Sequence, residues 1–314
     1  FLFDSVRGVG RRLMTSGNND EDGDSSTDTL TSFNSTGFSI GADTATGGVN
    51  ANSAQMVAWS WVAASSTASN TDGDVTSSVR ANQTAGFSIV KWTNNGNNTP
   101  SSHRWGHGLG VVPDLVITKR INNTGDWNVY SEVFNNPVRD EIYLNTTAAK
   151  HTSGSDLYHR DSTTVGIRAG SIGSSGDSHI AYCFASVAGY SRVGAYEGNS
   201  ARNFQYLGFQ PRWIMIKTIS ITAYPAYTGW AIFDTERPPA YNVNVNSLFA
   251  NNTNQEGKRG NNSTASAPDF GIDMLSNGFC LRDNGASEIN LNGEDYIYLA
   301  FANNPLQANG GLAR

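Results

Sequence analysis

Three stretches of the chain carry nearly the same text. Residues 55–61 read QMVAWSW, residues 178–196 read SHIAYCFASVAGYSRVGAY, and residues 295–302 read DYIYLAFA. Each is an apolar, aromatic-rich run of strand length. Text that recurs at such separations points to copies of one structural unit, so the unit has to be delimited before any chemistry is considered.

Walking backwards from each copy recovers the same order. A "GF" segment precedes it, GFSIGAD at 37–43 and GFCLRDN at 278–284, with VGIRAGS at 165–171 in the middle copy. Further upstream lie FLFDSVRG (1–8), DWNVYSEVF (126–134) and GWAIFDTERP (229–238). Earlier still come PDLVITKR (113–120) and PRWIMIKT (211–218), apolar strands carrying Lys119 and Lys217, and before these GFSIVKWTNNG (86–96) and YSRVGAYEGN (190–199). The period is roughly 100–125 residues. The division is a partial first repeat at 1–62, a Ser/Thr/Asn-rich linker at 63–85, a second repeat at 86–187, a third at 188–303 and a tail at 304–314. The first copy holds only the second half of the unit, which makes the chain read as a segment of a longer protein.

The units are β. DLVITKR, WNVYSEV, FSIV, IMIK and YIYLAFA are short β-branched and aromatic runs bounded by Gly, Asn, Pro or Asp. Trp127-Asn128-Val129-Tyr130-Ser131 alternates large and polar residues as a half-buried strand does, whereas DLVIT and WIMI are continuous apolar runs suited to strands covered on both faces. No long window keeps a 3.6-residue period. The expected fold is all-β, tandem antiparallel β-sandwich repeats of jelly-roll-like form. The Trp and aromatic-Ala-aromatic strands fill the interior of each unit, with Ala181 and Ala300 leaving equivalent room for facing side chains.

Composition narrows the partners. Charged residues make up only 15% and the formal net charge is −6. Nucleic acid is disfavoured, because phosphate neutralisation needs clustered Lys and Arg and the one basic run is RGVGRR at 7–12. No run of 18 apolar residues exists to insert in a membrane as a helix. Cys183 and Cys280 sit in apolar runs at unrelated places in the repeat and read as buried free thiols.

Catalytic signatures are weak. His103 and His107 are four apart but flank Arg-Trp-Gly in a turn-rich stretch, without the helix that would aim both at a metal. Ser174, Ser175, Asp177 and His179 are neighbours on a hairpin turn, where a triad needs convergence in space. Asp140–Glu141 and Glu294–Asp295 are adjacent acids, not a pair facing across a cleft. The acidic string Asp20, Glu21, Asp22, Asp24 lacks the terminal Glu of an EF-hand. The sequence therefore yields no catalytic residue, no metal site and no cofactor.

The ordered text GFSIVKWTNNG…GHGLGVVPDLVITKRINNTGDWNVYSEVF…IYLNTTAAK…HIAYCFASVAGYSRVGAY…YIYLAFANNP resembles a family of tailed-phage virion proteins. Members carry tandem units of this kind, often behind a concanavalin-like (LamG-type) β-sandwich, in phages of marine bacteria and cyanobacteria. The resemblance spans nearly the whole chain and carries no catalytic residues. It implies a non-enzymatic tail-fibre or appendage protein on the virion surface, which helps attach the particle to its host through a surface glycan or receptor. Its implied partners are other virion proteins and further copies of itself, a trimer being favoured among homo-oligomers. A purely architectural subunit and a polysaccharide depolymerase are the alternatives. For ligand contact the expected residues are Tyr224 and Tyr227, in a loop longer than its counterpart, and Trp105.

Overall fold

The computed structural model describes residues 1–23, 28–43, 48–97, 99–168, 173–220, 228–237, 242–256, 271–282 and 289–303. In the first repeat, β1 (Arg11–Arg12) pairs with β2 (Asp22–Gly23), and β3 (Leu30–Asn34) with β4 (Gly37–Ile40). Next come β5 (Ala68–Asn70), β6 (Ser77–Asn82), β7 (Phe87–Thr93), β8 (Arg104–Gly106), β9 (Leu115–Arg120), β10 (Trp127–Ser131) and β11 (Asp140–Tyr143). β12 (His151–Thr152), β13 (Tyr158–Arg160), β14 (Thr164–Ile167) and β15 (Ser178–Phe184) complete the second repeat. The third holds β16 (Ser191–Glu197), β17 (Asn203–Tyr206), β18 (Pro211–Thr218), β19 (Ala231–Asp234), β20 (Leu248–Phe249), β21 (Ile272–Leu275), β22 (Gly278–Leu281) and β23 (Asp295–Ala302). The fold is all-β and sandwich-like, and every pair of these strands is antiparallel.

Each complete repeat is one large sheet carrying one small sheet. The second has the order β12-β11-β10-β9-β15-β7-β6-β5 with the small sheet β13-β14-β8, and the third has β16-β23-β18-β19-β20 with β17-β22-β21. The stretch expected to be a linker differs from that expectation: β6 pairs with β7 and β5 with β6, extending the second repeat's large sheet. Ser69, Asn70, Ser77, Ser78 and Asn82 lie on these strands, where Ser77 bonds the Gly106 carbonyl. Polar composition alone does not separate such an outer strand from a linker.

Burial follows the period of two. On β9, Leu115 and Ile117 face one core and Val116 another; on β15, Ile180, Tyr182 and Phe184 oppose Ala181 and Cys183. Trp92, Trp105, Tyr130 and Tyr158 fill the space between the second repeat's large and small sheets. Tyr196, Phe279, Tyr296 and Tyr298 do the same in the third. The opposite faces meet each other. Trp127, Val129, Ile142 and Phe184 share one core with Trp213, Met215, Trp230 and Phe301, and Leu13 of the first repeat joins them, with Trp59 and Trp61 packed alongside. Trp127 and Trp230 thus lie between repeats, while Tyr130 and Phe233 on the same strands face the interior of their own unit as the sequence suggests.

The repeats meet through one recurring set of bonds. The Trp127 indole donates to the Met14 carbonyl at 3.0 Å, and the Trp230 indole to the Tyr143 carbonyl at 2.8 Å. Lys119 reaches the Asn18 carbonyl as Lys217 reaches that of Thr147, both at 3.3 Å. The Trp127 N–H donates to Asn145 and that of Trp230 to Asn251. These bonds align LMTSGN (13–18), IYLNTT (142–147) and LFANNT (248–253), residue for residue. Ring closure comes from the Asp-x-x-Arg turns. Asp4 accepts from the Val6 and Arg7 N–H groups, the Arg7 Nε and the Tyr182 hydroxyl. Asp234 accepts from the Glu236 and Arg237 N–H groups, the Arg237 Nε and the Trp59 indole. The first repeat therefore contacts the second, the second the third, and the third the first. Ladder register corrects one sequence equivalence: Ile180 faces Lys119 and Ile297 faces Lys217, so Ala300 corresponds to Cys183, and Ala181 to Tyr298.

Candidate functional site

The aromatics singled out in the sequence divide into two groups. Trp105 is fully buried and stacked on Trp92 at 4.4 Å, so its ring is closed to any ligand. The reason is that β8 is not a loop but the edge of a small sheet whose inner face is apolar. Tyr158 is likewise interior, stacked on Tyr130 at 5.0 Å. Tyr224 and Tyr227 lie outside the described residues.

The polar residues weighed for catalysis occupy structural roles. His103 Nδ1 bonds the Ile167 carbonyl, and burial holds its pKa below the usual value. His107 Nε2 contacts the Asp161 carbonyl while Nδ1 accepts from the Leu109 N–H, which fixes its tautomer. Ser174 N–H and Arg120 both bond Asp177 at a turn that leads from the small sheet into the large one; it is not the hairpin the sequence suggests, because β14 and β15 lie in different sheets. Glu141 accepts from Asn128, Tyr130 and Tyr143. Glu21 of the acidic string pairs with Arg7 and Arg11. Among the described residues, no three His, Cys, Asp or Glu side chains converge as a metal centre would need.

The surface feature best built for contact lies on the third repeat's small sheet. Phe204 and Tyr206 on edge strand β17 are 47% and 59% exposed. A spacing of two puts both rings on one face, roughly 7 Å apart along the strand. The strand is firmly held. Asn203 donates to the Glu197 carbonyl and to Asn290, and Gln205 donates to Asn203. Gly278, paired with Tyr206, has no side chain, and a Cβ there would sit 2.1 Å from the Gln205 carbonyl. In register beside Phe204 lie Cys280 and then Asp273. Asp273 is buried; its Oδ2 accepts from Arg202 and Arg282 at 3.1 and 2.5 Å, while its Oδ1 has no partner among the described residues. Two exposed rings beside two guanidinium groups that a buried carboxylate holds in place can stack an apolar ring face and hydrogen-bond its hydroxyls. NFQY, with aromatics at i and i+2 between amides, is the sequence signal for this ledge, but aromatic alternation reads equally well as core.

A second concavity, of about 450 Å³, lies in the second repeat between Thr99–Ser101, Val138–Arg139, Gly154–Asp156 and Tyr158–Arg160. Arg139 is paired with Asp156 and Arg160 with Glu132, whereas Arg168 has no ion-pair partner among the described residues.

Residues 1–305 match the family described as a domain of unknown function, DUF7483. The chain belongs to that family. No curated protein and no solved structure matches it. In this DUF7483 member the match runs through all three repeats, so the family unit encompasses the shared core and the ledge alike.

Proposed function

We propose that this protein is a non-enzymatic component of a tailed-phage virion surface, of tail-fibre or appendage type, and that it helps attach the particle to its host by binding a surface glycan at the Phe204–Tyr206 ledge. The observation that carries the reading is the exposure of two neighbouring rings on a strand held rigid by Asn203, Gln205 and the ladder to β22. A pre-positioned aromatic surface loses little entropy on stacking a sugar ring. Arg202, exposed and two residues before Phe204, is held by the buried Asp273 and supplies a directional donor beside the rings. The virion context rests on the long ordered text shared with that phage family.

The test is a double substitution, Phe204→Ala with Tyr206→Ala. Both side chains are exposed, so the thermal midpoint stays within a few degrees, while binding on a glycan array and adsorption to host cells fall at least tenfold, as loss of stacking worth about 1.5 kcal/mol requires. Unchanged adsorption sinks the ledge as the attachment site. New reducing ends released from host polysaccharide by the purified protein would overturn the non-enzymatic reading.

A further inference from the structure

The cleft of the second repeat differs from the matching place in the third by one exchange of charge. Arg168 and Arg282 are equivalent. Each follows the central strand of its small sheet, and their N–H groups donate to the Leu157 and Gly271 carbonyls, both at 3.0 Å. Ladder register then places His159 opposite Gly166, where Asp273 stands opposite Cys280. In the third repeat Asp273 accepts from the Arg282 guanidinium at 2.5 Å and neutralises it. In the second an imidazole holds the acid's place, and the Arg168 guanidinium has no ion-pair partner among the described residues. His159 itself faces Asp161 at 3.4 Å, but that carboxylate is spent on its own turn, accepting from the Thr163 and Thr164 N–H groups and the Thr164 hydroxyl. His159 and Arg168 both line the concavity of about 450 Å³, which falls within the range of small-molecule sites (~300–1,000 Å³). The lining sets three arginines, Arg139, Arg160 and Arg168, against one carboxylate, Asp156, in a chain whose formal net charge is −6. The frame is fixed. Arg160 donates to Glu132 at 2.6 Å and lies over the Tyr158 ring. The Leu157 and Tyr158 N–H groups donate to the Val138 carbonyl and tie two walls together. Gly166 lets the Pro100 turn close in, since a Cβ there would sit 1.9 Å from the Pro100 carbonyl. Arg139 Nε bonds Asp156 at 3.0 Å, which leaves its η nitrogens without a partner among the described residues.

We infer that this cleft is a binding site for the carboxylate of an anionic ligand, taken by Arg168 together with the η nitrogens of Arg139. A guanidinium presents its donors in a planar fork that matches carboxylate geometry, and such charge-assisted bonds are about twice as strong as neutral ones. The third repeat supplies its arginine with an internal carboxylate, whereas the second leaves the equivalent arginine in a concave site for an external one. The exposed hydroxyls of Thr99 and Ser101 stand at the rim, within reach of hydroxyl groups on the same ligand. An acidic sugar and a small free carboxylic acid share this chemistry. The site lies in a different repeat from the Phe204–Tyr206 ledge and does not depend on it.

The experiment titrates digalacturonate, a disaccharide with a carboxylate on each ring, into the intact 314-residue protein by calorimetry, with its neutral dimethyl ester and acetate as further arms. The expected result is saturable binding of digalacturonate and none of the ester. Acetate that displaces it only at much higher concentration assigns the site to an acidic sugar; acetate that binds as tightly assigns it to a small free acid. Arg168→Gln is expected to bind roughly tenfold more weakly, as loss of one charged hydrogen bond predicts. His159→Asp rebuilds the pair of the third repeat. Arg168 is then held internally, the thermal midpoint is kept or raised, and the ligand is lost. Phe204→Ala with Tyr206→Ala leaves digalacturonate binding unchanged, which separates this site from the ledge. Failure of both digalacturonate and acetate to bind overturns the inference. So does full affinity in Arg168→Gln or in a folded His159→Asp, equal binding of the ester, or loss of binding in the ledge variant.

Discussion

Lys217 is fully buried and, among the described residues, meets the carbonyls of Thr147 and Thr228 and no carboxylate. Burial pushes its pKa down to about 7, and burial with the nearby Arg120 charge lowers that of Lys119 to about 8. An unfolded lysine titrates near 10.4, so between the folded and unfolded values the unfolded chain binds the extra proton. Stability then rises with pH, by up to about 1.4 kcal/mol per unit for each lysine, from about pH 7 to the onset of tyrosine ionisation near pH 9.5. Urea midpoints measured across that range are expected to climb, and the climb is expected to shrink in Lys217→Met. A flat wild-type profile would contradict a desolvated ammonium. Asp234 is a second residue whose worth lies in its partners. Burial raises its pKa, but the bonds from Arg237 and two backbone N–H groups outweigh that and hold it low. Asp234→Ala leaves the Arg237 guanidinium buried beside Trp59 with one carboxylate fewer, and is expected to cost about 3–5 kcal/mol in chemical denaturation.

At the scale of strands, sequence reasoning succeeds where chemistry repeats along the backbone. FSIVKWT, LVITKR, WNVYS, IMIK and YIYLAFA all form strands, because β-branched and aromatic runs bounded by turn residues have little alternative. Two things stay hidden. One is which face of a two-sided strand meets which partner: WNVYS turns Trp127 to the neighbouring repeat and Tyr130 to its own small sheet, and both are aromatic. The other is pairing register, where Ala181 and Ala300 look equivalent as text but differ by two positions against the buried lysines. The ledge is hidden in the sequence for a related reason, since only an edge strand over an already filled core leaves Phe204 and Tyr206 outside. The close approach of β22 to β17 makes a testable strand-scale claim. In Gly278→Ala the new methyl meets the Gln205 carbonyl, which belongs to backbone and cannot rotate away. The expected outcome is a loss of about 1–3 kcal/mol, read as a lowered thermal midpoint, together with weaker ledge binding because β17 itself is displaced.

Over the whole molecule, the shared core separates this architecture from beads on a string. In a chain of independent sandwiches each unit melts at its own temperature, since each buries its aromatics within itself. Here Trp127, Ile142 and Phe184 of the second repeat and Trp213, Trp230 and Phe301 of the third lie in one continuous cluster, which Leu13 of the first joins. Separating the repeats would expose all of these at once. Differential scanning calorimetry is therefore expected to give a single transition for the described body, with calorimetric and van't Hoff enthalpies in agreement. Trp230→Ala is the sharper probe. The side chain is fully buried at the junction and donates to the Tyr143 carbonyl of the preceding repeat. Its loss removes a large apolar body and orphans that carbonyl, at about 3–5 kcal/mol. Because the cavity opens in the common core, the entire transition should move to lower temperature as one peak. A second peak, with the second repeat melting at its original temperature while the third alone is weakened, would show that the repeats fold separately and that their junction contributes little.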